Sequence, residues 1–119
     1  SDVVGRGFVA YSNDAKIEML GVAAATLAAH GAISEQAVKE MTAGALKAAG
    51  ADADIAVAVS GFAGPGGGAP DKPVGTVWVA IERKGRPAEA ERHVFSGDRA
   101  AVRAKAVLRA LEMIAAAAK

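Results

Sequence analysis

Two short apolar runs, "IAVAVS" (55–60) and "VGTVWVAIER" (74–83), flank a segment crowded with glycine, "GFAGPGGGAPDKP" (61–73). Runs this short and apolar on both faces predict strands of a sheet covered on both sides. The connection between them is the puzzle. Glycine costs conformational entropy on folding, and a plain link needs far fewer glycines. The residues leave two readings open: a flexible connection, or backbone that must come close to something.

The rest of the chain supplies the covering layers. "GRGFVAYS" (5–12) predicts a short strand, and "SND" behind it is a helix-cap signal for a helix from about Asp14 to Leu20. "VAAATLAAH" (22–30) predicts a second short helix, stopped by Gly31. Ser34 caps a longer one, with Glu35 in its first turn and Val38, Met41, Ala45 and Ala49 as its apolar stripe up to Gly50. "EAERHVF" (89–95) alternates like an outer strand with one wet face. After "SGD", a long helix is expected from about Arg99 to Ala116, with Ala104, Val107, Leu108, Leu111 and Ile114 on its core face. The pattern is that of one α/β domain over residues 1–119, helices on both sides of a mixed sheet.

Composition narrows the function. The net charge is +1, from 14 basic and 13 acidic residues interspersed along the chain. That balance leaves no electrostatic footprint for nucleic acid or an anionic membrane. Without cysteine there is no thiol nucleophile and no thiolate metal site, and His30 and His93 have no acidic neighbours at ligand spacing. No metal and no cofactor are expected. The apolar runs fall far short of a membrane span and nothing resembles a signal peptide, so a soluble cytoplasmic protein is the expectation.

Three features point to a site. The glycine loop follows a buried strand at its C-terminal end, where open α/β sheets bind ligands and free N–H groups can form an anion-binding concavity. "GPGGGAPDK" is neither a Walker loop nor a dinucleotide fingerprint, because it leads into a strand instead of a helix. Lys16 of "YSNDAK" sits in the first turn of its helix, where the dipole disfavours a cation. It is either a solvated surface lysine or a base with a depressed pKa that serves a nearby hydroxyl. Arg99 of "SGDR" opens the last helix, as a surface arginine or as a clamp for phosphate or carboxylate. Taken together, two cations at helix starts and a glycine nest favour an anionic ligand.

"GFVAYSNDAKIEMLGV", "HGAISEQ", "VSGFAGPGGG", "KPVGTVWVA" and "FSGDR" occur in this order. The sequence thereby resembles the CinA-type C-terminal domain family of nicotinamide-nucleotide amidases along essentially its whole length. The resemblance implies a three-layer α/β/α sandwich that is often homo-oligomeric. It implies hydrolysis of the carboxamide of nicotinamide mononucleotide to the nicotinate mononucleotide and ammonia, by a Ser/Lys pair and without metal. Family members carry a further upstream segment, and the resemblance implies that this chain lacks it.

Carried over position by position, the resemblance makes Lys16 the family lysine and Ser1 the nucleophile. It places Tyr11 and Asn13 in the same pocket motif, and Ser60 where many members have threonine. Gly61, Gly64, Gly66 and Gly67 match the substrate loop, and Arg99 matches the arginine of "GDR". The substrate phosphate is expected on the glycine loop or Arg99. The other class of function is a nucleotide-binding or regulatory module of a competence/damage-inducible protein that hydrolyses nothing.

Overall fold

The computed structural model describes residues 13–66, 68 and 70–118. The strand expected over 5–12 lies outside them, as do Ser1, Tyr11 and Gly67. Three helices come first: α1 (Asn13–Leu20), α2 (Ala24–His30) and α3 (Glu35–Ala49). A sheet follows, of β1 (Ile55–Gly61), β2 (Thr76–Arg83) and β3 (Glu89–Val94), and α4 (Arg99–Ala117) closes the chain.

Local signals set these boundaries. The Ser34 hydroxyl accepts from the Ala37 N–H at 3.1 Å and donates to the Gly31 carbonyl at 2.8 Å, so one side chain ends the preceding turn and starts α3. Asp98 starts α4, its carboxylate accepting from the Ala101 N–H at 2.9 Å. α2 has no such residue of its own. Glu40 of α3 serves it instead, taking the Ala23 N–H at 2.8 Å and the Thr26 hydroxyl at 2.5 Å.

The strands lie in the order β1-β2-β3, and both pairings are antiparallel. Among the described residues the sheet is therefore antiparallel throughout, and β1 pairs with β2 alone. β2 is the central strand. Its Val77, Val79 and Ile81 face α4, in a core with Val102, Ala106, Ala110 and Met113. Its Ala80, with partly buried Trp78, faces the helical layer of Leu20, Val22, Leu27, Ala37, Val38 and Met41. Alternation along one strand thus builds two cores and three layers. The stripe expected on α3 is borne out: Val38, Met41 and Ala49 are buried.

α4 is rotated from the expected setting. Its buried residues are Val102, Ala106, Ala110 and Met113, whereas Val107, Leu108 and Leu111 are 58–60% exposed and Ala104 is exposed too. Ile114 alone of the expected stripe packs against the core. The helix has apolar residues nearly all round, so periodicity could not choose a face. Alanine on the inner side lets the helix lie close to the sheet, and this setting brings Arg109 to Glu91 of β3 in a bidentate pair at 2.6 and 2.8 Å.

Candidate functional site

Lys16 ends the first turn of α1 and is only 6% exposed. Burial penalises the ammonium form and holds its pKa below the ordinary lysine value. Of the two sequence readings, the solvated surface lysine is set aside. α1 reaches this place by unusually close packing on α3. A Cβ on Gly44, in the middle of α3, would stand 1.6 Å from the Leu20 carbonyl oxygen at the end of α1. The Lys16 carbonyl accepts the Val22 N–H at 3.2 Å, which fixes the exit from α1 as well. Asn13, the first residue of α1, is exposed one turn away.

Ser60 stands opposite Trp78 in the β1–β2 register. Trp78 packs on the α1–α3 core, so the alternation of a strand puts the Ser60 hydroxyl on the same side of the sheet as α1. Lys16 and Ser60 therefore share a layer. Arg99 comes from the opposite layer, at the start of α4.

The glycine loop lies between the two layers and is held from both. Its neck is closed by backbone bonds from Phe62 N–H to the Thr76 carbonyl at 3.0 Å and from Gly75 N–H to the Phe62 carbonyl at 2.7 Å. Arg99 Nη1 donates to the Gly64 carbonyl at 3.1 Å, and Lys72 Nζ to the His30 carbonyl at 2.8 Å. A segment tied at four points is not a slack connection.

The glycines within it answer different needs. Gly61 lies so near β2 that a Cβ would meet Val77 Cγ2 at 2.6 Å and the Thr76 carbonyl oxygen at 2.7 Å. Gly64 is buried with φ +87°, and a Cβ there would stand 2.8 Å from Val74 Cγ1. Both are required by the chain's own packing. Gly66 is exposed, has no positive φ, and has open space where a Cβ would go.

Lys72 was not singled out by sequence. It is a loop lysine beside Asp71, and only the fold brings it to the end of α2. There it lines a cavity of about 370 Å³ with Trp78 and Arg92, at the loop's end of the sheet. A larger cavity, about 440 Å³, lies at the far end between Arg83 and Met113, where Arg109 and Glu91 already satisfy each other. Among the described residues no three His, Cys, Asp or Glu side chains gather to hold a metal ion, and no helix is long and apolar enough to cross a membrane.

The CinA C-terminal domain family matches residues 1–118. Nicotinamide-nucleotide amidohydrolase PncC of Escherichia coli (strain K12) is 55% identical over 109 residues, covering 92% of this chain and 65% of its own length. The chain thus spans just under two thirds of that relative. A putative competence-damage inducible protein of Symbiobacterium thermophilum is 50% identical over 118 residues, which make up only 27% of it. The crystal structure of competence/damage inducible protein CihA from Agrobacterium tumefaciens superposes with a TM-score of 0.90 at 43% identity, covering 96% of this chain and 68% of that one. That of the Klebsiella pneumoniae competence damage-inducible protein A gives 0.82 at 49% identity, over 89% of this chain and 64% of that one. With the three-layer arrangement, the five ordered motifs and these matches in agreement, the chain belongs to the CinA C-terminal domain family.

Proposed function

We propose that this domain hydrolyses the carboxamide of nicotinamide mononucleotide to the nicotinate mononucleotide and ammonia, using Ser1 as nucleophile and Lys16 as base. The observation that carries the reading is the burial of Lys16 and the lowered pKa that follows from it. Burial that penalises the ammonium makes the neutral amine more accessible than in an ordinary lysine, and it is the neutral amine that can take a proton from a hydroxyl. The names of the 55%-identical relatives supply the substrate class.

In the proposed cycle Lys16 Nζ accepts the Ser1 hydroxyl proton as Ser1 Oγ attacks the amide carbon. The C–N bond then breaks, Lys16 returns the proton to the nitrogen, and ammonia leaves. Water attacks the resulting ester, releasing the carboxylate and restoring Ser1. Backbone N–H groups of the loop at Gly66 and Gly67 stabilise the oxyanion, with Ser60, Asn13 and Tyr11 placing the substrate. No step calls for a metal or cofactor. The working form is a homo-oligomer in the cytoplasm, with a small nucleotide as substrate and neither nucleic acid nor membrane as partner.

The test is ammonia release from nicotinamide mononucleotide by the purified protein in the presence of a chelator. Steady turnover with a carboxylate product supports the reading, and no turnover from folded protein overturns it. The second reading, a nucleotide-binding module without hydrolysis, draws on relatives in which the matched part is about a quarter of a longer protein. Binding without ammonia would favour it.

A further inference from the structure

Thr76, the first residue of β2, is wholly buried, with 0% of its surface exposed. Its hydroxyl is the one buried side-chain polar atom without a hydrogen-bond partner among the described residues. Burying a hydroxyl unpaired costs free energy, and valine would fill the same space without that cost. β2 itself takes valine at 77 and 79. Packing alone therefore does not account for a threonine here.

The backbone that carries this hydroxyl is held from every side. Thr76 N–H donates to the Pro73 carbonyl at 3.0 Å, its carbonyl accepts from Phe62 N–H at 3.0 Å, and the Gly75 carbonyl accepts from Phe95 N–H at 2.8 Å. A group so fixed cannot travel, and its partner has to come to it. Val77 faces α4, so the alternation of β2 turns Thr76, like Trp78, toward the layer of α1 and α3. Ser60 stands opposite Trp78, and Phe62 bonds opposite Thr76, which makes Ser60 and Thr76 diagonal neighbours on that face. Ser60 is half-buried, its hydroxyl makes no hydrogen bond among the described residues, and it turns about a single torsion. The movable hydroxyl thus sits beside the fixed one, at the neck of the glycine loop and in the layer of Lys16.

We infer that Thr76 is a positioning residue for Ser60: its hydroxyl donates to Ser60 Oγ and leaves the Ser60 hydrogen for the oxygen of the substrate carboxamide. A hydroxyl has one hydrogen to give and lone pairs with which to accept, so Ser60 can do both at once. Accepting from a fixed neighbour holds Ser60 Oγ in one rotamer, and two hydroxyls in series polarise each other, which strengthens the outer bond. Thr76 itself touches no substrate and acts only through Ser60. The inference rests on the proposed nucleotide substrate and deepens that reading by a residue behind the site.

The experiment pairs thermal melting with calorimetric titration of nicotinamide mononucleotide, which needs no turnover. Thr76→Val matches the side chain in shape and removes only the hydroxyl. It should melt at or above the temperature of the unaltered protein, yet bind the mononucleotide about three- to tenfold more weakly, the loss of one neutral hydrogen bond. Thr76→Ser keeps the hydroxyl, so it should bind almost as well while melting lower for want of a methyl group. Ser60→Ala should lose at least as much affinity as Thr76→Val, and adding Thr76→Val to it should cost nothing more, because the pair acts as one unit. A merely structural threonine moves melting and affinity together. That result, an unaltered affinity in Thr76→Val, an equal further loss in the double variant, or no binding by the unaltered protein would overturn the inference. The two proposals fail separately. The expected binding pattern without ammonia release sinks only the hydrolysis, whereas ammonia release with kcat/KM and affinity unaltered in Thr76→Val sinks only the role of Thr76.

Discussion

Arg99 Nη1 lies 3.1 Å from the carbonyl oxygen of Gly64 and joins the first residue of α4 to the glycine loop. The bond converts a surface arginine into a brace across two layers. Arg99→Gln is expected to leave the fold intact, lower stability by about 0.5–1 kcal/mol, the net worth of one hydrogen bond, and speed amide exchange in residues near Gly64. Thermal melting with hydrogen exchange checks this. An unchanged exchange rate in the loop would remove the bracing role.

Gly64 and Gly66 should respond oppositely to alanine. Gly64→Ala forces a side chain into a left-handed backbone and against Val74, and it should cost about 1–3 kcal/mol. Gly66→Ala meets neither obstacle, so its stability should be equal or higher, by up to about 1 kcal/mol through the unfolded state. If the Gly66 N–H meets the substrate, the same variant binds nicotinamide mononucleotide poorly despite its stability. Calorimetric titration of Gly66→Ala decides, and normal affinity would return that glycine to plain flexibility.

Lys16→Ala should lower the rate of ammonia release by roughly 10²–10⁴-fold, the usual share of a positioned base. Lys16→Arg should fail as well, because a guanidinium stays protonated. In the unaltered protein the rate should rise with pH through an apparent pKa below that of ordinary lysine, since burial favours the neutral form. A fully active Lys16→Arg enzyme with a flat profile would reassign the residue to charge alone.

Glu91 governs acid sensitivity. Hydrogen bonds from Arg109 and His93 pull its pKa from 4.5 down to about 2. The unfolded chain therefore binds this proton more readily than the folded one, and stability rises with pH across that window. The contribution is whole above pH 4.5 and is lost as the pH falls toward 2. The pair is more than a third exposed on the Glu91 side, and screening keeps the effect to about 1 kcal/mol or less. Denaturant melts of Glu91→Gln should show a shallower decline across this window than the unaltered protein. Parallel curves would mean that the pair contributes nothing.

Where a local signal and a tertiary demand agree, the sequence was legible. Ser34 and Asp98 are caps because a hydroxyl or carboxylate can satisfy N–H groups three residues on, whatever surrounds it. The order of strands and helices followed from apolar period and glycine. The face of α4 did not, because Ala106 and Ala110 look no more buried in sequence than Leu108 and Leu111, and only the sheet decides between them. The glycines of the loop were visible as a cluster, but their separate reasons lie in contacts with Val77 and Val74 across the fold. Lys72, Trp78 and Arg92 come from a loop and two strands, and no local pattern links them. The placement of Lys16 was suggested by its unfavourable start in α1, and its burial comes from packing.

That packing sets a trap for anyone who would make the protein more heat-resistant. Alanine in the middle of a helix outranks glycine by about 1 kcal/mol, so a routine stabilising survey would change Gly44 first. Here the absent methyl group is the space that the Leu20 carbonyl occupies. Filling it would strengthen α3 and push α1, with Lys16 on it, off its seat. The chain gives up a sturdier helix to keep α1 and its buried lysine where they are, so Gly44→Ala should lower the melting temperature although alanine is the better helix former.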